Sequence, residues 1–189
     1  MAREEPDDRT LVLRVQRGDH EAFGVLVDRH MRRAYFGALG LVGSHDDALD
    51  LSQDAFVRAY RARDSIDPDR PFYAWLYQIL RRLCFNHLRD HRNRARRLRE
   101  AHPWLADDAW SAAGRADPAI TVEREEIRTR VRDSLALMPE REREVFVLKE
   151  FEGLKYREIG ELLHIPIGTV MSRLYSARQR LANQLGDLL

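Results

Sequence analysis

Thr169, Ser172, Arg173, Ser176, Gln179 and Arg180 fall on one side of a helical projection, flanked by Met171, Tyr175 and Arg178. Val170, Leu174, Ala177, Leu181 and Leu185 form a narrow apolar stripe on the other side. Hydroxyl and guanidinium groups in the first turns of such a helix can reach base edges and phosphates, and Arg173 has the fork that fits a guanine. The whole stretch from Leu154 to Arg178 reads as two short helices around a tight turn, a shape suited to the DNA major groove. The same pattern also describes the solvated face of an ordinary amphipathic helix, so it needs support from the rest of the chain.

A second row, Trp75, Gln78, Arg82, Asn86, Arg89 and Asn93, repeats at spacings of three and four. Aromatic, amide and guanidinium groups on one ridge can stack on unpaired bases and hydrogen-bond to them, with arginines further along holding phosphates. A third face is acidic: Asp46, Asp47, Asp50, Gln53 and Asp54 surround an outward Val57, opposite an arc of Ala48, Leu49, Leu51, Ala55, Phe56, Ala59 and Tyr60. Acids around an apolar residue suit a basic helical partner, although acids near a helix start also simply complement its dipole.

Covalent chemistry finds little footing. Cys84, His87 and His91 share a side of one helix, but three ligands without a fourth make a poor tetrahedral set, and no metal or other cofactor is expected. His87-Leu88-Arg89-Asp90 resembles a kinase catalytic loop without the glycine-rich loop that would accompany it. There is no phosphate-binding loop and no nucleophile elbow, so the chain is not expected to be an enzyme.

Charge is distributed in blocks rather than in excess. The 189 residues carry a net charge of +1, with 33% charged and 44% hydrophobic residues. Arginines crowd 81–99 while acids cluster at 4–8 and 46–54, so different segments should meet different partners. The acidic N-terminus lacks the apolar core of a signal peptide, and no apolar run approaches membrane-spanning length. A lone cysteine excludes an internal disulfide, and a cytoplasmic protein without membrane insertion is expected.

Helical periodicity pervades the chain, predicting an all-α fold of two small domains joined by a flexible linker. The first helices span about Thr10 to Gln16 and Glu21 to Leu39, with Phe23, Leu26, Val27, Met31 and Ala34 inward and Gly40 and Gly43 ending the second. Ser44 caps a helix that runs to Arg61. Asp64 to Pro71 is a loop, and another helix follows Pro71 through the arginines. Periodicity weakens from Ala101 to Thr121 around Pro103, Gly114 and Pro118, although Trp104 and Trp110 suggest docking. A second block begins near Val122, with Pro139 starting a further helix at its first position. The expected boundaries are 1–99, 100–121 and 122–189.

Taken together, these motifs resemble bacterial RNA polymerase sigma factors of the extracytoplasmic-function group, which keep only the second and fourth conserved regions. Asp47 to Phe56 resembles the segment that binds the clamp helices of the polymerase largest subunit. Phe72 to Ile79 resembles the start of the minus-ten reading helix. Leu137-Met138-Pro139 through Val145, Glu152-Gly153-Leu154, Ile159 and Gly168 through Arg178 resemble the minus-thirty-five reader. The resemblance implies that Asp47, Asp50, Leu51, Gln53, Asp54 and Val57 contact core polymerase. It implies that Ile66 and Asp67 in the loop, with Trp75, Gln78, Arg82, Asn86 and Arg89, hold single-stranded minus-ten DNA. Thr169, Met171, Ser172, Arg173, Tyr175, Ser176 and Arg178 then read the minus-thirty-five duplex. Implied partners are core RNA polymerase through its clamp helices and flap, promoter DNA in duplex and single-stranded form, and an anti-sigma factor. Because the chain ends at Leu189 without a sensory domain, that inhibitor is expected to be separate.

The chain departs from the family pattern at several points. Leu80-Arg81-Arg82 replaces the usual Ala-Arg-Asn, which turns an amide into a guanidinium. Lys155 stands where a Ser or Thr cap is common, Gly160 where Ala is usual, and Met171 where Lys or Arg is frequent. Glycine in the first helix of the motif is expected to loosen it. The rival to a polymerase subunit is an autonomous helix-turn-helix regulator with a sensing or dimerising first block. A protein-interaction adaptor with a degenerate motif is the third reading.

Overall fold

The computed structural model describes residues 6–101 and 122–186. Trp104, Trp110 and residues 102–121 of the expected linker lie outside those residues, while its first two, Glu100 and Ala101, belong to the preceding helix. Everything regular among the described residues is helical. In the first block, α1 is Asp8–Gln16, α2 His20–Val42, α3 His45–Arg61 and α4 Phe72–Ala101, with a 3-10 turn at Arg63–Ser65. In the second, α5 is Val122–Leu137, α6 Glu140–Glu150, α7 Tyr156–Leu163 and α8 Ile167–Leu185.

Local chemistry sets most of the starts and stops. The Asp7 and Asp19 carboxylates accept from the backbone N–H groups of Thr10 and Ala22 at 2.8 and 3.0 Å, and Ser44 Oγ accepts from Asp47 N–H at 3.3 Å. Each satisfies a donor that the first helical turn leaves open. Gly43 closes α2 in the left-handed conformation at φ 77°, its N–H donating to Leu39 O. Pro139 is the residue before α6 rather than its first.

Two expectations about helices need correction. Gly40 does not end α2, because helix continues through Val42. It lies inside the helix, where a Cβ would fall 2.7 Å from Val147 Cγ2 of α6. Leu49 is not part of the inward arc of α3: it is 45% exposed, beside the acids.

Inside the first block, Leu11, Leu26, Phe56, Phe72, Leu76 and Leu80 interlock α1 to α4. Arg9 pairs with Asp69, and Asp8 accepts from Arg29, which clips α1 to the rest of the block. In the second, Val145, Leu148, Ile159, Val170 and Leu174 join α6, α7 and α8. The two blocks pack on each other, with α2 lying against α5 and α6. The last turns of α4 are largely at the surface, with His91 to Arg94 and Arg96 to Leu98 exposed, although Arg92 reaches Glu140 of α6.

Candidate nucleic-acid interface

The helix-turn-helix is built as its sequence suggests, with one local novelty. Val170, Leu174 and Ala177 bury the inner stripe of α8, and Leu181 packs against its edge. His164 ends α7 in the left-handed conformation at φ 54°, where glycine is the usual choice. Ile165 N–H donates to Gly160 O across the turn at 3.0 Å. A Cβ at Gly160 would sit 3.0 Å from Ile165 O, so this glycine lets the turn close tightly as well as lowering helix propensity. Lys155 offers no acceptor for the first turn of α7. Glu158 partly compensates, its carboxylate accepting from Lys155 N–H at 2.6 Å.

On the outer face Met171 is 54% and Tyr175 67% exposed, with Ser172 also at the surface. Thr169, Arg173 and Ser176 are half-buried, and Ser172 Oγ donates to Thr169 O at 3.1 Å. The guanidiniums are not all free. Arg178 donates to Glu150 at 2.6 Å and Arg180 to Glu142 at 2.8 Å, so both are held by acids of α6.

On α3, Asp46, Asp50 and Gln53 are exposed and Val57 is 48% exposed among them. Asp47, Leu51 and Asp54 are half-buried. Asp54 is engaged by Arg58 at 3.0 Å, and Asp47 lies 3.5 Å from His87 Nε2. Leu49 adds a second apolar group to this acidic strip.

The Trp75 row divides along its length. Trp75 is half-buried against Phe72, with ring centroids 6.2 Å apart. Gln78 reaches the surface but donates to Leu162 O of α7 at 2.6 Å. Arg82, Asn86 and Arg89 are exposed. In the preceding loop Asp67 is exposed and accepts from Asp69 N–H at 3.0 Å. Ile66 is only 3% exposed, and its carbonyl accepts from the Gln16 side chain at 2.8 Å. Its side chain belongs to the core here. Cys84 is buried, which pushes its thiol up to about 12, while the His87 and His91 rings stack 6.3 Å apart. Among the described residues no cluster could hold a metal ion.

Sequence reasoning missed the polar seam between the blocks. The Glu152 side chain is 1% exposed, accepting from Arg33 Nε at 3.0 Å and Tyr73 Oη at 2.8 Å. Burial raises its carboxyl above the ordinary value despite both partners. Glu144, also 1% exposed, takes a forked contact from Arg81 and a hydrogen bond from Tyr77 at 3.4 Å. Arg92 pairs with Glu140. The available signal was Gly37-Ala38-Leu39-Gly40, small residues one turn apart that let a neighbouring helix come close.

Similarity to known proteins follows both blocks. The family model for sigma-70 region 2 matches residues 26–94, and that for sigma-70 region 4 matches residues 128–181. The chain is 35% identical to the RNA polymerase sigma-H factor of Pseudomonas aeruginosa, covering 96% of this chain and 95% of that one. It is 33% identical to the ECF RNA polymerase sigma-E factor of Escherichia coli K12, covering 98% of each. It is also 33% identical to the ECF RNA polymerase sigma factor SigW of Bacillus subtilis, covering 94% of this chain and 96% of that one. Among solved structures it is similar to CnrH in complex with the cytosolic domain of CnrY. That match has a TM-score of 0.71 at 28% identity and covers 95% of this chain and 97% of that one. With the region 2 match on the block that carries the acidic strip, and the region 4 match on the block that carries the helix-turn-helix, the chain belongs to the sigma-70 family of RNA polymerase sigma factors, in its extracytoplasmic-function group.

Proposed function

We propose that three separate faces of this sigma factor divide the work of promoter recognition. The α3 strip of Asp47, Asp50, Leu51, Gln53, Asp54 and Val57 docks on the clamp helices of core polymerase. The second block seats on the flap and lays Thr169, Met171, Ser172, Arg173, Tyr175, Ser176 and Arg178 along the minus-thirty-five duplex. Asp67, Trp75, Gln78, Arg82, Asn86 and Arg89 hold unpaired minus-ten bases. Catalysis belongs to the polymerase, and the sigma-factor family is not an enzyme family.

The observation that carries this reading is the separation of charge: exposed acids around Val57 on α3, and hydroxyls and guanidiniums on the outer face of α8. Acids repel phosphate, so the first face suits protein and the second DNA. An autonomous regulator would need the first block to form a sensing pocket, whereas the region 2 match over that block supports the polymerase-subunit reading.

Transcription with purified core polymerase on a promoter library tests the assignment. Defined start sites should emerge only with both proteins present, and Asp50→Ala with Gln53→Ala should weaken binding to core. Absence of any start site, or unaltered core binding by that pair, would sink it. Arg82→Asn should shift the preferred minus-ten sequence; an unchanged preference removes Arg82 from the reading surface.

An anti-sigma factor is part of the proposal; CnrH, of similar fold, has been solved in complex with the cytosolic domain of another protein, CnrY. A pull-down that recovers no such partner, together with activity that follows expression level alone, argues against it. The working compartment is proposed to be the cytoplasm; no described helix is long and apolar enough to cross a membrane.

A further inference from the structure

The loop that carries Asp67 is held from outside by the first helix of the chain, and this inference rests on the sigma-factor reading above. Arg9 and Gln16 lie seven residues apart on α1, so they share one ridge, two turns and about 10.5 Å apart. Both reach across to residues 63–69. The Gln16 amide donates to Arg63 O at 3.2 Å and to Ile66 O at 2.8 Å, which engages both of its hydrogens where the chain enters the loop. Arg9 Nε donates to Asp69 at 2.8 Å further along.

Within the loop the grip passes to the residue proposed to meet DNA. Asp69, held by Arg9, donates its N–H to one Asp67 carboxylate oxygen at 3.0 Å, and Arg70 Nε lies 3.3 Å from the other. Arg70 N–H also donates to Asp67 O at 3.2 Å. Ile66, 3% exposed, roots the segment in the core one residue earlier. The helix doing the holding is itself well seated. Leu11, Val12 and Val15 are buried, and Asp8 pairs with Arg29 and His30 of α2 at 2.6 and 2.8 Å.

We propose that Gln16 is a positioning residue for minus-ten selectivity, acting through the loop carbonyls to set where Asp67 meets an unpaired base. Magnitudes rank the two contacts from α1. The Arg9–Asp69 ion pair is exposed on both sides, and such pairs contribute little. The Gln16 bonds are partly buried, and losing them strands two carbonyls. Gln16 therefore governs and Arg9 assists. A displaced loop should blur the choice of one base and spare the rest, because Trp75, Arg82 and Asn86 stand on α4, outside these hydrogen bonds.

The test is single-round transcription by the full chain with core polymerase on a library randomised across the minus-ten element. Asp67→Ala first identifies the position that the loop reads. Gln16→Met, which keeps the stem and removes both donors, should lower discrimination at that position by about fivefold, the size of one net hydrogen bond, and leave the other positions unchanged. Combined with Asp67→Ala it should add nothing there, since both act through one side chain. Arg9→Ala, a change at an exposed residue, should move the same position in the same direction by less, and Arg9→Lys should restore it.

Equal loss at every position reduces Gln16 to a structural role and overturns the proposal. An unmoved preference overturns it too, as does an effect that adds in full to that of Asp67→Ala, or an Asp67→Ala profile identical to the original. Should Gln16→Met fail to fold, Arg9→Ala decides alone, an unmoved preference again overturning the proposal. In all of these outcomes the unaltered chain still gives start sites. If it gives none on any promoter, the sigma-factor reading falls and this inference with it.

Discussion

Gly40 of α2 and Val147 of α6 meet with no room for a single additional carbon: a Cβ on the glycine would fall within 2.8 Å of both Val147 methyl groups. They are far apart in sequence and lie in different blocks, so this contact exists only while the blocks are closed. Gly40→Ala should gain about 1 kcal/mol of helix propensity within the first block while opening the seam. The expected pattern is a higher melting temperature for the first block together with a larger particle by scattering. Pairing it with Val147→Ala, which removes both methyl groups, should restore closure. A smaller or unchanged particle for the single variant contradicts the close approach.

Closure should also depend on pH through Glu152. Arg33 from α2 and Tyr73 from α4 face its carboxylate, with Tyr77 of α4 nearby, yet burial dominates and raises its pKa above the ordinary 4.5. A raised pKa means that the closed state prefers the protonated acid. Its contribution to closure is fullest below about 4.5 and is lost as pH climbs through the raised value. Lowering pH from neutrality toward that window should therefore tighten the seam, and Glu152→Gln should flatten this component. Scattering radius against pH for the two chains measures it. Parallel curves would assign the dependence to other groups.

The start of α7 offers a stability gain at an exposed residue. Lys155 supplies no side-chain acceptor to the helix, although Glu158 already returns its half of the reciprocal cap. Lys155→Ser should complete the pair and stabilise the second block by about 0.5–1 kcal/mol. Thermal unfolding should register the change, and an unchanged or lower midpoint would argue that the Lys155 stem packs usefully where it lies.

Met171 leaves an apolar group, 54% exposed, on the outer face of α8. Met171→Arg should tighten minus-thirty-five binding by holoenzyme and, by adding one phosphate contact, steepen the logarithmic salt dependence by about one. A salt series on a duplex carrying that element provides the measurement. Tighter binding with an unaltered slope would mean that the new arginine touches bases rather than phosphate.

How far the sequence announces this molecule depends on the range over which each feature is decided. Ser44 and the apolar stripe of α8 are legible because a cap is settled within one turn and an amphipathic face within one helix. Gly40 is not: as a local signal it reads as a stop, and only α6, more than a hundred residues later, supplies the reason for a glycine inside a helix. Ile66 sits in a segment with loop composition, yet α1 folds across it and Gln16 ties down its carbonyl. Arg178 is visible as a candidate phosphate contact, but its acidic partner Glu150 comes from another helix. Glu152 is recognisable as part of a family motif, whereas its insertion between Arg33 and Tyr73 depends on how two blocks meet. Helices and outward faces follow from nearby residues; the seam follows from tertiary geometry that periodicity does not encode.

The exposed end of α4 has a consequence for reach. With 30 residues, α4 is about 45 Å long, and its turns beyond Asp90 leave the first block as a stiff arm of about 15 Å. The segment 102–121 that follows can span at most about 70 Å even when fully drawn out. Together they match the roughly 85 Å between the two promoter elements, whereas the segment alone falls short. Two glycines replacing Arg94 and Arg97 would leave the count of residues intact but turn the arm into a tether, so the preferred spacer between promoter elements should become shorter and less sharply defined.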